Sequence, residues 1–182
     1  MGAPSAQAAV HRVGCTTVED SLSQGVRSAP GRQPGEAAAP TLGARSTGGG
    51  SQLIDRRFGR AEITFVRHEV SGQLTAAGLT GERLQGFVLA VNEVATNVVL
   101  HAGGQGRIRL WLAGGSAWCT VTDSGPGIPA RYLSDPEVPG AFEVGGRGIW
   151  LAYQLCDEVT MASGPIGTTV SLRIALPRPS LA

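Results

Sequence analysis

The sequence contains no lysine, since all 15 residues of its combined lysine and arginine count are arginines. P-loop nucleotide-binding proteins and protein kinases both place a lysine on the phosphates of the nucleotide. Both designs are therefore excluded for this chain.

Charge is also scarce. Charged residues make up 16% of the 182 positions, and the net charge is +1. This composition predicts neither a nucleic-acid partner nor a membrane-surface partner. No segment reaches the run of about 18 apolar residues that a membrane span requires, and no secretory signal pattern is present at the N terminus. The three cysteines match no zinc-site spacing and favour a reducing compartment, so we expect a cytoplasmic protein.

Residues 1–52 lack Phe, Trp, Tyr and Ile, and they are rich in Ala, Gly, Ser and Pro. Such a stretch cannot bury enough apolar surface to offset ordering costs of about 1–2 kcal/mol per residue. We therefore predict a disordered or low-complexity extension here, with a start codon assigned too far upstream as the alternative. The folded domain is predicted to span residues 53–179.

Within the predicted domain, apolar periodicity and glycine positions indicate an order of helix, helix, strand, strand, long loop, helix, strand, strand. Because the strands are mostly joined by hairpins, we expect a two-layer α/β (α+β) sandwich with helices on one face of a mixed, largely antiparallel sheet. Trp111 and Trp118, in the first hairpin, are interpreted as packing residues. The predicted ranges are 61–77 and 80–101 for the first two helices, 107–112 and 117–122 for the first strands, 124–145 for the loop, 148–156 for the third helix, and 158–162 and 168–176 for the last strands.

The second predicted helix carries an acid–amide pair. Glu93, Asn97 and His101 recur every four residues and so share one stripe of the helix. The carbonyl oxygen of Asn97 suits magnesium, which takes the rest of its shell from phosphates and water. Glu93, one turn earlier, is placed to act as a general base. The alternative is that the stripe is only the solvated face of an amphipathic helix.

An isolated carboxylate, Asp123, precedes a glycine turn that contains Gly125 and Gly127. A carboxylate at a strand end can accept the exocyclic amino hydrogens of adenine, whereas the oxygen of guanine would be repelled. The glycines would let the backbone approach a ligand closely. An aspartate before a glycine is also ordinary turn chemistry, so this alternative stays open.

The third predicted helix opens with Gly146, Arg147 and Gly148. Unpaired amides at a helix N terminus favour anions, and an arginine can contact phosphate oxygens through its forked guanidinium group. The alternative is a glycine-rich first turn with a solvated arginine.

Taken together, these segments resemble the nucleotide-binding boxes of the Bergerat-type ATPases, the family shared by gyrase, histidine kinases and mismatch-repair ATPases. The compact domain and its Gly-Gly-Arg-Gly-Ile-Trp-Leu-Ala segment are most similar to actinobacterial anti-sigma factor serine kinases. The matching positions are 93–97 with His101-Ala102, then 123–127, then 146–148, and finally Gly167-Thr168.

The resemblance implies that Asn97 coordinates magnesium, that Glu93 activates the attacking group, and that Asp123 binds the adenine amino group. Thr168 would bond near the adenine, and Arg147 would contact the nucleotide. The glycines that would shape the lid are Gly125, Gly127, Gly146 and Gly148.

The resemblance also implies a biological role. ATP and Mg²⁺ would be the cofactors, and a sigma factor and a small antagonist (anti-anti-sigma) protein would be the partners of a homodimer. The activity would be serine/threonine kinase activity on the antagonist. The alternative is a nucleotide-dependent binding module or a slow ATPase without protein kinase activity.

Overall fold

The computed structural model describes residues 9–14, 50–128 and 147–178. Within these ranges, no helix combines the length and the hydropathy needed to cross a membrane. The elements are β1 (Ala9–Gly14), β2 (Ser51–Gly59), a 3-10 turn (Arg60–Glu62), α1 (Ile63–Ala76), α2 (Gly81–His101), β3 (Gln105–Ala113), β4 (Ser116–Asp123), α3 (Arg147–Leu155), β5 (Glu158–Gly164) and β6 (Gly167–Ala175).

The strands form one six-stranded sheet in the order β1-β5-β6-β4-β3-β2. Every pair of neighbours in it is antiparallel. The helices pack on one face of the sheet, so the predicted two-layer fold class is confirmed. The predicted helices and hairpins of the domain are present, with ends that differ by at most two residues.

The hydrophobic core lies between the helices and the sheet. Along β3, Ile108 and Leu110 are fully buried, whereas Arg107 and Arg109, on the other face, are exposed. This alternation is the period-two pattern of a strand with one face against a core. From α2, the buried side chains that meet this face are Phe87, Ala90, Val91, Val94, Ala95 and Val98. Each large side chain that is fully buried in this way contributes about 1.5–3 kcal/mol.

The opposite face of the sheet, which we call the open face, carries polar cross-strand pairs. Trp111 and Trp118 lie directly opposite each other, with ring centroids 6.3 Å apart and planes inclined by 11°. The guanidinium of Arg173 lies 5.8 Å from the ring centroid of Trp118. The Thr120 and Ser171 hydroxyls are 3.2 Å apart and share a hydrogen bond. Such pairs stabilise neighbouring strands, so the two tryptophans pack against each other as expected.

The two edge strands were not predicted. Residues 9–14 fall in the predicted disordered extension, but they form β1 and pair with β5. The strand β1 is held by backbone pairing with β5, and the extent of the predicted extension stays a prediction. The remaining residues of that extension up to 49, and the predicted loop from 129 to 145, lie outside the described residues.

The strand β2 was not predicted because its alternation of apolar and polar residues is irregular. A register shift between Gln52 and Ile54 leaves Leu53 as an extra residue, which breaks the period-two alternation. Arg56 lies on the helical side, where it pairs with Glu69 of α1 at 3.1 Å and covers the ring of Phe65 at 4.5 Å.

Two thiols belong to the core. Cys119 and Cys156 are buried and are not joined in a disulfide. Burial raises the pKa of both thiols, that of Cys156 to about 12. Both therefore stay protonated near neutral pH and act as small apolar side chains. Cys15 lies outside the described residues.

Candidate functional site

The acid–amide pair lies on one side of α2. This 21-residue helix buries one side against the sheet, and Glu93 and Asn97 lie beside that buried stripe, partly exposed. Neither side chain makes a hydrogen bond within the part of the chain that the structure describes. Both are therefore available to a ligand. His101, in the last turn, is exposed.

The start of α3 packs directly on this pair. Gly148 is buried in the first turn of the nine-residue helix. A Cβ atom at this position would lie 3.1 Å from Cβ and Oε2 of Glu93 and 3.2 Å from Nδ2 of Asn97. Such contacts are tighter than ordinary van der Waals packing, so a side chain at position 148 would require Glu93 and Asn97 to move by a few tenths of an ångström. Arg147 precedes it and is exposed, whereas Gly146 lies outside the described residues.

Two predicted segments are thus in contact, and their chemistry is complementary. The amide groups of the first turn of a helix carry partial positive charge and attract anions. Since Gly148 leaves no side chain between these amides and α2, an anion at the start of α3 would lie beside Glu93 and Asn97.

Asp123 connects the turn after β4 to the start of β6, at one end of the sheet. Its Oδ1 atom accepts a hydrogen bond from the backbone N–H of Gly125 at 2.8 Å and one from the N–H of Thr168 at 3.1 Å. The turn after β4 is therefore tied to the first residues of β6. Within the described ranges, Oδ2 accepts no hydrogen bond, so the carboxylate keeps one oxygen for a ligand.

The glycine turn after Asp123 is packed against α2. A Cβ atom on Gly125 would lie 2.6 Å from both Cα and Cβ of Ala102, which directly follows the last residue of α2. The turn that starts at Asp123 therefore abuts the C-terminal end of the helix that carries Glu93 and Asn97. This contact places the acid–amide pair and the isolated carboxylate along the same helix.

Sequence reasoning missed Ser163 of β5, a buried residue of this region. Its Oγ atom accepts the backbone N–H of Ile128 at 2.7 Å and shares a hydrogen bond with Oγ1 of Thr168 at 3.0 Å. The segment that leads from Asp123 toward the predicted lid is therefore attached to the β5–β6 hairpin. The alternation of β5 was the available signal, because Ser163 continues the inward positions of Val159 and Met161.

Two glycines allow this attachment. Gly127 has a φ of 87°, and a Cβ on it would lie 2.5 Å from the carbonyl oxygen of Gly164. Gly167 has a φ of 140°, and a Cβ there would collide with the carbonyl oxygen of Asp123. Side chains at either position would separate the turn after β4 from the β5–β6 hairpin.

Replacement of Ser163 by alanine is expected to lower the free energy of unfolding by about 1–3 kcal/mol, because it leaves the Ile128 N–H and the Thr168 hydroxyl without this partner. Urea denaturation measures the change. The matched control is Ser171→Ala, which removes one hydroxyl pair on the open face and should cost less than about 1 kcal/mol. Equal losses in the two variants would contradict the role given to Ser163.

The structure thus brings most of the predicted site residues into two groups along the C-terminal half of α2. Glu93, Asn97 and Gly148 form the first group. The second group consists of Asp123, Gly125, Gly127 and Thr168, with Ser163 as an addition. Their roles toward a nucleotide stay predictions.

A comparison with protein families supplies independent information. Residues 60–174 match the family model described as "Histidine kinase-like ATPase domain". This range is more than half of the chain, and it contains every predicted site residue. A comparison with curated proteins found no match.

Proposed function

The chain belongs to the histidine kinase-like ATPase family and has an ATP-binding domain, and from this premise we propose that it is an anti-sigma regulatory factor that phosphorylates a serine or threonine of an antagonist protein. The observation that carries the proposal is the contact of Gly148 with Glu93 and Asn97. This contact joins a carboxylate, an amide and a helix N terminus. A regulator that only bound ATP would need the amide and the helix terminus, but it would not need the carboxylate.

The first part of the mechanism concerns the phosphates. The first turn of α3 binds phosphate oxygens through its amide groups, and the side chain of Arg147 contributes a forked cation. Asn97 would hold Mg²⁺ through its amide oxygen, since its side chain makes no hydrogen bond within the described residues and lies beside this turn. The bound metal would neutralise charge that develops on the transferred phosphoryl group.

The second part concerns the acceptor. Glu93 lies one helical turn before Asn97, and both side chains lie against Gly148, so its carboxylate would be close to a terminal phosphate bound at the start of α3. It accepts the proton of the attacking hydroxyl while the oxygen of that hydroxyl forms a bond to phosphorus and the bond to the leaving ADP breaks. With water in place of the hydroxyl, the same arrangement would be that of a slow ATPase.

The third part concerns the base. Asp123 accepts the amino hydrogens of adenine through Oδ2, because two backbone N–H groups already occupy Oδ1. This division fixes the orientation of the carboxylate before the nucleotide arrives. Thr168 contributes through its backbone, since its N–H is one of these two donors.

A groove on the α1 side of α2 is the surface that we propose for a protein partner. It lies between α1 and α2, has a volume of about 280 Å³, and includes Arg67, Leu84, Val88 and Asn92 in its walls. Leu89, which also lines it, is 43% exposed. Asn92 and Glu93 are successive residues of α2, whose side chains point in different directions, so a partner held in this groove would contact α2 on its α1 side, whereas Glu93 faces Gly148 of α3. We propose a sigma factor and a small antagonist protein as the partners and a homodimer as the assembly.

The test of the function is phosphate transfer from labelled ATP, with Mg²⁺, to candidate antagonist proteins encoded in the same genome. We expect label on a serine or threonine, and co-purification with a sigma factor in a complex whose mass contains two copies of this chain. If the chain bound ATP and released free phosphate without transferring it to a protein, it would be an ATPase and not a protein kinase.

Asp123→Asn is expected to lower the affinity for ATP about tenfold, the effect of losing one hydrogen bond to a charged group. The asparagine keeps an oxygen for Gly125 and Thr168, so the turn is retained. Its amide would face the amino group of adenine, and the preference for ATP over GTP should fall as well. Fluorescent-nucleotide titration measures both affinities.

Asp55→Asn, on the open face, is the control and should leave the affinities for ATP and GTP unchanged. Unaltered nucleotide preference in Asp123→Asn would contradict the assignment.

A further inference from the structure

A second cavity lies on the open face of the sheet, at the end where β4 meets the glycine turn. Its volume is about 220 Å³, and its walls include Arg57, Gln105, Arg107, Thr122, Asp123 and Ser124. Arg107 and Thr122 are opposite each other in neighbouring strands and point away from the helices. The cavity therefore lies on the opposite face of the sheet from the pocket between α2 and α3, and Asp123 is shared between its wall and the proposed adenine site.

The charges around this cavity are unbalanced. Arg57 and Arg107 are directly opposite each other in β2 and β3, a placement in which like charges destabilise a sheet. Arg107 is neutralised by Asp55, with its Nε and Nη2 atoms 2.6 and 2.9 Å from the two carboxylate oxygens. Arg109 approaches the same carboxylate at 3.6 Å.

One carboxylate thus serves two arginines, and the hydrogen bonds from Arg107 hold the pKa of Asp55 below its ordinary value. Arg57 has no ion pair with any carboxylate in the described ranges, although it is the arginine that shares the cavity with Arg107. The site therefore contains a cation, Arg57, without an ion pair in the described ranges, together with further hydrogen-bond donors and the Asp123 carboxylate.

From this arrangement, we propose that the cavity binds a small phosphate dianion, either inorganic phosphate or a phosphomonoester. Guanidinium groups match the oxygens of phosphate in pairs, and Gln105, Thr122 and Ser124 add neutral donors. Pockets for drug-sized ligands occupy about 300–1,000 Å³, so the volume of 220 Å³ favours a small anion over a nucleotide. The Asp123 carboxylate in the wall is less repulsive than an isolated one, because its Oδ1 already accepts two N–H groups.

The test is a titration of the full chain with inorganic phosphate or with O-phosphoserine at constant ionic strength, followed through the backbone amide resonances of Gly106 and Ser124. We expect saturable shifts with at least one of the two probes. Shifts with both identify the phosphate group as the ligand, and shifts with phosphoserine alone identify a phosphomonoester. Absence of saturation with both probes overturns the proposal. The titration is repeated with saturating ATP, because persistence of the shifts separates this cavity from any phosphate bound at the start of α3.

Three variants test the assignment to Arg57. Arg57→Gln should weaken binding of the probe about tenfold, the loss expected from one charge-assisted contact. Arg109→Gln removes the same charge from the same face without lining the cavity, and it should change the affinity by about twofold or less, because salt screens the more distant charge. Asp55→Asn should tighten binding, since it releases Arg107. If Arg57→Gln and Arg109→Gln weakened binding equally, the phosphate would be attracted by the general positive charge of this face and not by a defined site. An unchanged affinity in Asp55→Asn would contradict the proposal in the same way. Circular dichroism confirms that all three variants fold.

Discussion

Replacement of Glu93 by glutamine is expected to lower the rate of phosphate transfer about 10²- to 10⁴-fold, the usual contribution of a general base. Glutamine keeps the size and the packing of the side chain against Gly148, but it cannot take a proton. The affinity for ATP should stay within about twofold of the unaltered protein, because the nucleotide is held by other groups. Single-turnover transfer from labelled ATP and a separate binding titration measure the two quantities.

The control for this variant is Glu82→Gln, which neutralises another glutamate of α2 in its exposed first turn. It should leave both transfer and binding unchanged. If Glu93→Gln transferred phosphate at the normal rate, Glu93 would not be the base. If the unaltered protein and the Glu82→Gln control both transferred phosphate only to water, the chain would be an ATPase and not a protein kinase.

Gly148→Val is expected to lower the affinity for Mg²⁺-ATP about a hundredfold or more, the scale of loss caused by a displacement of about 1 Å at a precisely arranged site. The first added carbon already lies 3.1–3.2 Å from atoms of both Glu93 and Asn97. Relief of this crowding requires either a shift of α3 away from α2 or rotation of both side chains out of the pocket. Calorimetric titration with a non-hydrolysable ATP analogue measures the loss.

The control is Gly72→Val in α1. A Cβ atom at that helical glycine meets nothing within 4 Å, so the substitution tests the effect of the residue type without the contact. Its affinity for the nucleotide should be unchanged. Equal affinities in the two variants, with both proteins folded, would show that the close approach of α3 to α2 does not position the site.

The elements that could be predicted from the sequence are those whose own pattern defines them. The second helix was predicted because its apolar positions repeat along one side, and the β3–β4 hairpin because Ile108 and Leu110 alternate with polar residues around Gly114-Gly115. The edge strands β1 and β2 were missed for a physical reason. They owe their structure to partners far along the chain, and β2 also places Arg56 on the helical side, where Glu69 compensates it.

The candidate site was predicted as three separate segments, and the structure adds how they touch. The resemblance gave Gly148 a part in shaping the lid, and the structure adds that this glycine also permits the close packing of α3 on α2. Asp123 was described as either turn chemistry or a ligand for adenine. Its Oδ1 accepts the hydrogen bonds of the turn, and its Oδ2 accepts none within the described ranges. The two interpretations are therefore compatible. The hydrogen bond from the backbone N–H of Ile128 to Oγ of Ser163 joins residues that are far apart in the chain. It therefore cannot be predicted from a single sequence.

The placement of the tryptophans has a practical consequence for spectroscopy. The chain has three, and the stacked pair, Trp111 and Trp118, lies on the open face of the sheet. The third, Trp150, belongs to α3 and follows Gly148 by two residues. Replacing the pair by phenylalanine would leave Trp150 as the single tryptophan, on the helix whose first turn faces the proposed phosphates. Tryptophan emission would then report on that helix, without a dye and without a contribution from the tryptophans of the sheet.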